Sequence, residues 1–305
     1  MTLHADRIAR LWPALLAALV SGVAVFVNGL AVRRFDDATV YTTAKNLIAG
    51  LLLGGVLVAV TSRSRTHEPA PTPAEWPWLA LVALIGGAVP FVLFFEGLSM
   101  ATSTDAAFIH KTLVVWVAIG ATAALGERVG PLHVLAIALL LAGHAIASGG
   151  VSLAGSGTGE TLIFAATLLW AVEVLLVKRL LTTVSPSWAA SARMLGGSMF
   201  LLAWLAIRGD LGALVAFDTN QLGWLALTGT TLAVFVSLWY RALALAPATD
   251  VTAVLVVGAA VTAALNSGFR GVPVTADTAG YLLMLLGAAV VIARQSPTTR
   301  RPADA

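Results

Sequence analysis

The chain has 305 residues, of which 59% are hydrophobic and 11% are charged, and its formal net charge is +3. Soluble globular domains carry about twice as many charged residues, so this composition excludes a soluble protein and indicates an integral membrane protein. The chain contains no cysteine, which excludes disulfides and thiol-based metal or redox sites. Its positive charges do not cluster with aromatic residues, so we expect no nucleic-acid partner.

Apolar runs of membrane length follow one another along the whole chain. A hydrocarbon core about 30 Å thick needs roughly 20 apolar residues per helix, and a helix satisfies its own backbone hydrogen bonds there. We therefore predict an all-α integral membrane protein with ten transmembrane helices, at 11–32, 40–61, 76–98, 104–125, 131–152, 160–181, 187–207, 222–244, 250–268 and 276–294.

The first run, 11–32, follows Arg7 and Arg10 and in this respect resembles a signal peptide. It is longer than the roughly 7 to 15 apolar residues of a signal sequence, and no convincing small-x-small cleavage site follows it. We predict that it is the first membrane span.

Span 3 contains Pro90, which follows Gly86 and Gly87. A proline inside a helix removes one backbone hydrogen bond, and its ring crowds the preceding turn. We therefore predict a kink at this position. The phenylalanines that follow Pro90 suit either the wall of a cavity or packing against lipid.

Span 4 carries His110 and Lys111, roughly 12 Å below one end of the helix. Neighbouring helical positions point about 100° apart, so at most one of the two side chains faces a central cavity directly. Lys111 is the stronger candidate for substrate contact, because an ammonium group facing lipid is very unfavourable unless it reaches the interface. The alternatives for Lys111 are such snorkelling or a pair with Glu96 or Glu173. His110 is either a protonation switch or a packing histidine.

The turn after span 4 reads Gly126-Glu127-Arg128. We interpret Glu127 mainly as a structural residue that accepts hydrogen bonds or pairs with a basic group in this short loop.

Span 6 contains Glu173, about twelve residues and roughly 18 Å from its start, which is close to the middle of the membrane. An ionisable residue there costs roughly 2.5 to 3.5 kcal/mol on insertion scales, so it is a candidate for function. Glu173 would bind a substrate amine or carry a proton, and the alternative is a buried structural pair with Arg193. Trp170, one turn away on the same face, would provide an aromatic wall or only packing.

Several residues recur about 145 positions apart, which indicates two tandem copies. The matched pairs are Leu98 with Leu243, Ala101 with Ala246, Thr104 with Thr249, Asp105 with Asp250 and, 144 apart, Gly143 with Gly287. We divide the chain into a first five-helix repeat (1–154), a linker of Gly-Ser-Gly-Thr-Gly (155–159) and a second five-helix repeat with a tail (160–305). Five spans is an odd number, so the second copy inserts upside down and the substrate site is expected near the midplane.

The repeat aligns Lys45, near the start of span 2, with Arg193, near the start of span 7. These two basic residues would form alternate gates or hold substrate carboxylates, and the alternative is snorkelling toward the headgroups. Lys and Arg residues at the ends of the spans and between them are unequally divided, with eleven on the side of the N-terminus and four on the other side, namely Arg33, Arg34, Arg208 and Arg270. By the positive-inside rule we predict that both termini are cytoplasmic.

These features together resemble the EamA-type transporters of the drug/metabolite transporter superfamily. The resemblance rests on a basic residue early in the second helix, a Leu-x-x-Ala-x-x-Thr-Asp turn, Gly126-Glu127-Arg128 after the fourth helix, and Trp170, Ala171 and Lys178 in span 6. It implies a ten-helix carrier of the inner membrane that exports amino acids, metabolites or drugs. The chain departs from the family in having Lys45 where an arginine is usual, and Arg270-Gly271-Val272 where the Gly-Glu turn would recur.

No motif for nucleotide hydrolysis, metalloprotease or serine-hydrolase chemistry is present, so we predict that the protein is not an enzyme and needs no cofactor or metal. The predicted function is secondary active transport of small metabolites, such as amino acids or organic acids, by alternating access with proton coupling or exchange. The alternatives are an exporter of hydrophobic cations and, more remotely, a passive channel or an intramembrane enzyme. The expected partners are the substrate and the lipid bilayer, and a homodimer is left open.

Overall fold

A computed structural model describes residues 2–63, 69–101, 109–147, 157–270 and 278–294, and all regular structure among them is helical. The α-helices are α1 (Thr2–Ala31), α2 (Ala38–Arg63), α3 (Trp76–Gly87), α4 (Val89–Met100), α5 (Leu113–Gly120), α6 (Pro131–Ala147), α7 (Thr158–Leu180), α8 (Pro186–Ser191), α9 (Gly197–Arg208), α10 (Thr219–Leu245), α11 (Ala248–Leu255), α12 (Gly258–Arg270) and α13 (Thr278–Arg294). The repeat residues Thr104 and Asp105 and the first two residues of the predicted linker, 155 and 156, lie outside the described residues. The last two, Thr158 and Gly159, already belong to α7.

Seven helical stretches in the described part of the chain are long and apolar enough to cross a bilayer. They are Leu11–Arg34, Ala38–Ser62, Trp76–Gly97, Thr158–Leu180, Pro186–Arg208, Thr219–Leu245 and Ala248–Phe269. Two shorter apolar helices, Ile109–Leu125 and Pro131–Ile146, coincide with the predicted fourth and fifth spans. The protein is therefore a multi-pass, all-helical membrane protein, and the number of ten spans stays a prediction.

Large apolar side chains on the outside of the helices are exposed, as expected for a surface that contacts lipid. Val58 on α2 is 66% exposed, and Ile207 on α9 is 79% exposed. Polar and charged side chains such as Lys45, Glu173 and Arg193 are instead buried between the helices. This reverses the usual arrangement of a soluble protein, because the surrounding solvent is hydrocarbon.

Three of the long membrane stretches are irregular in the middle, and one of them, Ala248–Phe269, is divided into α11 and α12 by a turn at Val256 and Val257. Trp76–Gly97 is broken at Ala88, whose φ of −127° and ψ of −76° are not helical, so that α3 ends at Gly87 and α4 begins just before Pro90. This break confirms the kink predicted from Pro90. Pro186–Arg208 contains a π-helical turn, Ala192–Gly196, between α8 and α9. Such turns are frequent at functional sites.

The most extensive helix contacts join elements from the two sequence halves. Helix α6 packs on α13, α1 on α10, and α4 on α7. At the break of the third span, α3 packs against the π-helical turn. The interior between the halves is therefore formed by both copies, and the buried charged residues lie there.

Polar contacts near the start of α2 link it to elements of the second half. Arg208 Nη2 lies 2.8 Å from Asp37 Oδ2, and Gln221 Nε2 donates to the carbonyl oxygen of Arg34 at 2.8 Å. Partial burial raises the pKa of Asp37, but hydrogen bonds from the Val40 amide and from Arg208 outweigh this effect and hold the pKa below its ordinary value. We call this region the Asp37 end of the bundle.

Candidate functional site

Glu173 is buried on α7 and contacts two other polar side chains. Its side chain is 1% exposed, and Oε1 accepts a hydrogen bond from the hydroxyl of Tyr240 on α10. The same oxygen lies 3.9 Å from Arg193 Nε. Of the possibilities for Glu173, the structure thus shows the buried pair with Arg193. Tyr240 is a member of this site that could not be selected from the sequence.

The carbonyl oxygen of Gly86 is a shared acceptor beside this pair. It accepts hydrogen bonds from Trp170 Nε1 and from Arg193 Nη2, each at 3.1 Å. This carbonyl is free because α3 ends at Gly87, and the last carbonyls of a helix have no partner within it. The break at Ala88 therefore creates an acceptor that orients both side chains. Trp170 lies beside Glu173 as its helical spacing predicts, with its indole nitrogen engaged in the protein interior.

Lys45 is buried, with 4% of its surface exposed, and its surroundings differ from those of Arg193. Its Nζ donates to Asn28 Oδ1 at 3.1 Å, and the same oxygen accepts from the hydroxyl of Tyr41 at 2.7 Å. No ion pair in the described part of the chain includes Lys45. Lys45 is therefore buried without a carboxylate partner among the described residues, and Asn28 is its hydrogen-bond partner.

Aromatic rings surround the ammonium group of Lys45. Nζ lies 5.1 Å from the ring centre of Tyr41, 5.3 Å from that of Phe95 and 5.9 Å from that of Phe91. Cation–π contacts of this kind partly offset the free-energy cost of burying a charged group. Phe91 also packs edge to face on Trp170 at 5.4 Å, so these rings join the surroundings of Lys45 to those of Glu173.

His110 and Lys111 share a small cavity, and His110 also contacts aromatic rings. The His110 ring packs at 5.0 Å from Trp170 and 5.5 Å from Phe94. Both residues line a small cavity with Thr252 of α11 and with Val256, which follows α11. The structure therefore places both residues beside α11, and His110 in addition with the aromatic rings of the site.

The alternatives for Lys111 included a pair with Glu96 or Glu173. None of the ion pairs among the residues that the structure describes contains Lys111. Glu96 is half-buried near the end of α4. The carboxylate of Glu173 lies with Arg193. Five of the six predicted site residues are thus connected by direct contacts or shared aromatic rings, and Lys111 adjoins them through the cavity that it shares with His110.

Glu127 holds the start of α11, which is the structural role predicted for it. Its Oε1 accepts from the Ala248 amide at 2.7 Å, and its Oε2 accepts from the Thr249 amide at 3.1 Å and from the Thr249 hydroxyl at 2.8 Å. A carboxylate at a helix N-terminus satisfies free amides and also interacts favourably with the helix dipole. Glu127 thus connects the turn after the first four spans to a helix of the second half.

Lys178 holds the segment that precedes α11, at the junction of α10 and α11. Its Nζ donates to the carbonyl oxygens of Leu243 and Ala246 at 2.5 and 2.7 Å, at the C-terminus of α10. Nearby, His133 Nε2 lies 3.2 Å from Asp250 Oδ1. A groove lined by Glu127, Lys178 and the C-terminus of α10 lies beside these contacts. This region, which we call the Glu127 end, is held by charged groups from both halves.

Replacing Glu127 by alanine is expected to destabilise the protein by about 1 to 2 kcal/mol, because two amides at the start of α11 lose their acceptor. The change would be measured as a shift of the midpoint of SDS-induced unfolding in mixed micelles. Arg128→Ala is the matched control, since Arg128 is the exposed next residue. An equal shift in both variants would contradict the capping role.

The EamA-like transporter family matches residues 11–149 and 157–293, one match in each half of the chain. An uncharacterized transporter in the cobO 3' region of a Sinorhizobium species is 29% identical over 134 residues, covering 43% of this chain and 90% of that protein. A solved structure described as "Crystal structure of protein" superposes with a TM-score of 0.73 at 18% identity, covering 96% of this chain and 99% of that one.

The likeness to the solved structure supports the fold alone. The family matches also show what kind of protein the chain is. The two matched segments cover nearly all of both predicted repeats. The family is one of transporters, and the long apolar helices place the chain in a membrane. The chain belongs to the EamA-like transporter family and is a multi-pass membrane transporter.

Proposed function

We propose that the protein is a secondary active transporter of small carboxylate-bearing metabolites, such as amino acids or organic acids, that works by alternating access. The observation that carries the proposal is the buried ammonium group of Lys45, which has a neutral hydrogen-bond partner and no carboxylate within ion-pair distance among the described residues. A buried cation is costly unless it is paired, so a substrate anion would complete this site.

The balance of charge around the site favours an anion over a cation. Glu173, the acidic residue in the middle of the group, is already beside Arg193. Lys45 and Lys111 add positive charge that these contacts do not neutralise. The rings of Phe91, Phe95 and Trp170 would then contact the apolar part of the substrate, while the carboxylate binds Lys45.

Alternating access is supported by the broken helix and by the packing of the two halves. In many secondary carriers the substrate lies between two repeats, at a helix that is interrupted in the membrane. Here Gly86, at the end of α3 in the first half, accepts hydrogen bonds from Trp170 and Arg193 of the second half. We propose that the protein lies in the inner membrane and crosses it ten times, with both termini in the cytoplasm. We propose export as the direction of transport.

The driving force in this proposal is a proton gradient or exchange of substrates, because the sequence has no nucleotide-binding motif. Glu173 is the candidate proton site. In a Glu173→Gln variant we expect transport to lose its dependence on pH, and transport at the wild-type rate with unchanged pH dependence would contradict this role.

A hydrophobic cation is the second candidate substrate. The observation in its favour is the contact of Trp170 with Phe91 and Phe94 close to Glu173, since aromatic rings and a carboxylate suit an organic cation. It is less well supported because Glu173 would first have to leave Arg193.

Replacing Lys45 by methionine is expected to lower transport of the carboxylate substrate at least about tenfold, because a charge-assisted hydrogen bond is lost. The measurement is counterflow of radiolabelled amino acids and organic acids in proteoliposomes. Lys45→Arg is the matched control, since it keeps the charge and should retain most of the activity. Saturable flux of tetraphenylphosphonium with no flux of any carboxylate would instead favour the second candidate.

A further inference from the structure

Lys45 lies much closer to the Asp37 end of the bundle than to the opposite end. Its helix, α2, begins at Ala38 and ends at Arg63. At 1.5 Å per residue, Lys45 is roughly 10 Å from the start of this helix and about 27 Å from its end. The short route between Lys45 and water therefore passes through the Asp37 end.

Aromatic rings from both halves of the chain fill this route. Tyr41, one turn before Lys45, is fully buried, and Lys45 Nζ lies 5.1 Å from the centre of its ring. The Tyr41 ring packs on Phe35 with 4.7 Å between the ring centres. Phe35 in turn packs edge to face on Phe217 of the second half at 5.6 Å. Tyr41 and the Phe35–Phe217 pair thus cover Lys45 at this end.

Phe217 belongs to residues 209–218, the segment that joins α9 to α10. This segment packs on the Asp37 end through Leu214 and Phe217. At its start, Arg208 Nη2 lies 2.8 Å from Asp37 Oδ2, and the two side chains are 30% and 34% exposed. An ion pair that is exposed to this degree contributes little to stability. The segment is therefore held mainly by its two apolar side chains.

The opposite end of the bundle is held by stronger contacts. At the Glu127 end, one carboxylate accepts three hydrogen bonds from the start of α11, and Lys178 donates to two carbonyl oxygens. These bonds are partly buried, whereas the bond between Arg208 and Asp37 is exposed. Hydrogen bonds of charged groups are stronger where water is excluded. Opening the Asp37 end therefore breaks fewer strong contacts than opening the Glu127 end.

We propose that residues 209–218 form a lid that closes the Asp37 end over Lys45, and that the contact of Phe217 with Phe35 keeps this lid closed. The inference rests on the proposed function, in which Lys45 binds the substrate carboxylate, and it names the gate through which the substrate passes. In the proposed topology this end faces away from the cytoplasm. The lid is then the exit of an exporter.

The test uses the absence of cysteine from the chain. A single Asn28→Cys replacement places a thiol beside Lys45, because Asn28 accepts a hydrogen bond from Lys45 Nζ. The measurement is the rate at which 2-sulfonatoethyl methanethiosulfonate, a small anion, labels this thiol in the full-length protein in lipid nanodiscs. A covered thiol reacts through the open state, so labelling reports how often the lid opens.

Adding Phe217→Ala is expected to raise the labelling rate at least about tenfold, because the aromatic contact and the burial of the ring are lost. Arg208→Gln removes the ion pair to Asp37, keeps the apolar contacts, and should raise the rate by a smaller factor. It provides the test if Phe217→Ala lowers the unfolding midpoint. Val215→Ala is the matched control in the same segment, since Val215 is 89% exposed. Its labelling rate should equal that of the parent.

Three results would overturn the lid. They are an unchanged labelling rate in folded Phe217→Ala and Arg208→Gln, an equal increase in Val215→Ala, and an equal increase in Glu127→Gln. The last result would mean that the reagent reaches Lys45 from the Glu127 end. None of these results bears on which substrate Lys45 binds.

Benzoate separates the lid from the proposed function. If Lys45 binds carboxylates, benzoate should slow the labelling of Asn28→Cys when the lid is opened by Phe217→Ala. Labelling that rises in Phe217→Ala, and is slowed neither by benzoate nor by the amino acids and organic acids of the counterflow assay, would leave the lid intact. It would contradict the carboxylate site at Lys45 and with it the proposed function.

Discussion

Replacing Arg193 by leucine is expected to destabilise the protein by about 3 to 5 kcal/mol, the cost of leaving a buried charge without its partner. The charge left behind is that of Glu173, whose side chain is 1% exposed. The hydrogen bond to Gly86 is lost as well, although Trp170 still donates to that carbonyl. The midpoint of SDS-induced unfolding in mixed micelles measures the change.

The double variant Glu173→Gln, Arg193→Leu separates loss of charge pairing from loss of packing. A glutamine can still accept the hydrogen bond from Tyr240, and no uncompensated charge remains. Replacement of a whole buried pair is often neutral, so the double variant should recover most of the stability that the single variant loses. A double variant as unstable as the sum of the two single changes would show that the pair contributes nothing beyond packing.

Replacing Gly197 by valine is expected to destabilise the protein by about 3 kcal/mol or more, because the added carbons overlap with neighbouring backbone atoms. A Cβ at Gly197 would lie 2.7 Å from the carbonyl carbon, Cα and oxygen of Gly87. Since those are backbone atoms, relief requires the third and seventh predicted spans to move apart. That movement would also separate Arg193 from Gly86. The expected outcome is loss of both folded yield and transport.

Gly55→Ala on α2 is the matched control for this prediction, because nothing lies within 4 Å of a Cβ placed there. An alanine in an exposed helix interior should be neutral or stabilise by up to about 1 kcal/mol. Similar yield and stability for Gly197→Val and Gly55→Ala would contradict the close crossing at Gly87.

Individual features of the fold were predictable where one residue has a strong local effect. Pro90 predicted the break, since a proline cannot continue the hydrogen bonding of a helix, and the structure has it at Ala88. The role of Glu127 as an acceptor was also confirmed, although its partners Ala248 and Thr249 lie more than a hundred positions away. Local chemistry showed that an acceptor would be needed, and the fold determined which groups it meets.

The candidate site was predictable to the extent that buried charge is rare in a membrane. That rule selected Glu173, Arg193, Lys45 and Lys111 from a chain of mostly apolar residues. It could not select Tyr240 or Asn28, because an uncharged polar residue in an apolar span gives no comparable signal. The role of the Gly86 carbonyl could not be predicted either. Every residue has a carbonyl group, and this carbonyl is available to side chains only because α3 ends at Gly87.

The sequence by itself determined that the protein is helical, that it lies in a membrane, and that it is built from two copies, because hydropathy and internal repetition are properties of the chain. The tertiary structure decided how the charges are shared. It placed Glu173 with Arg193 and Tyr240, and left Lys45 among aromatic rings with Asn28. Pairing depends on which helix faces meet across the two halves, and packing of distant segments, not local periodicity, fixes those faces.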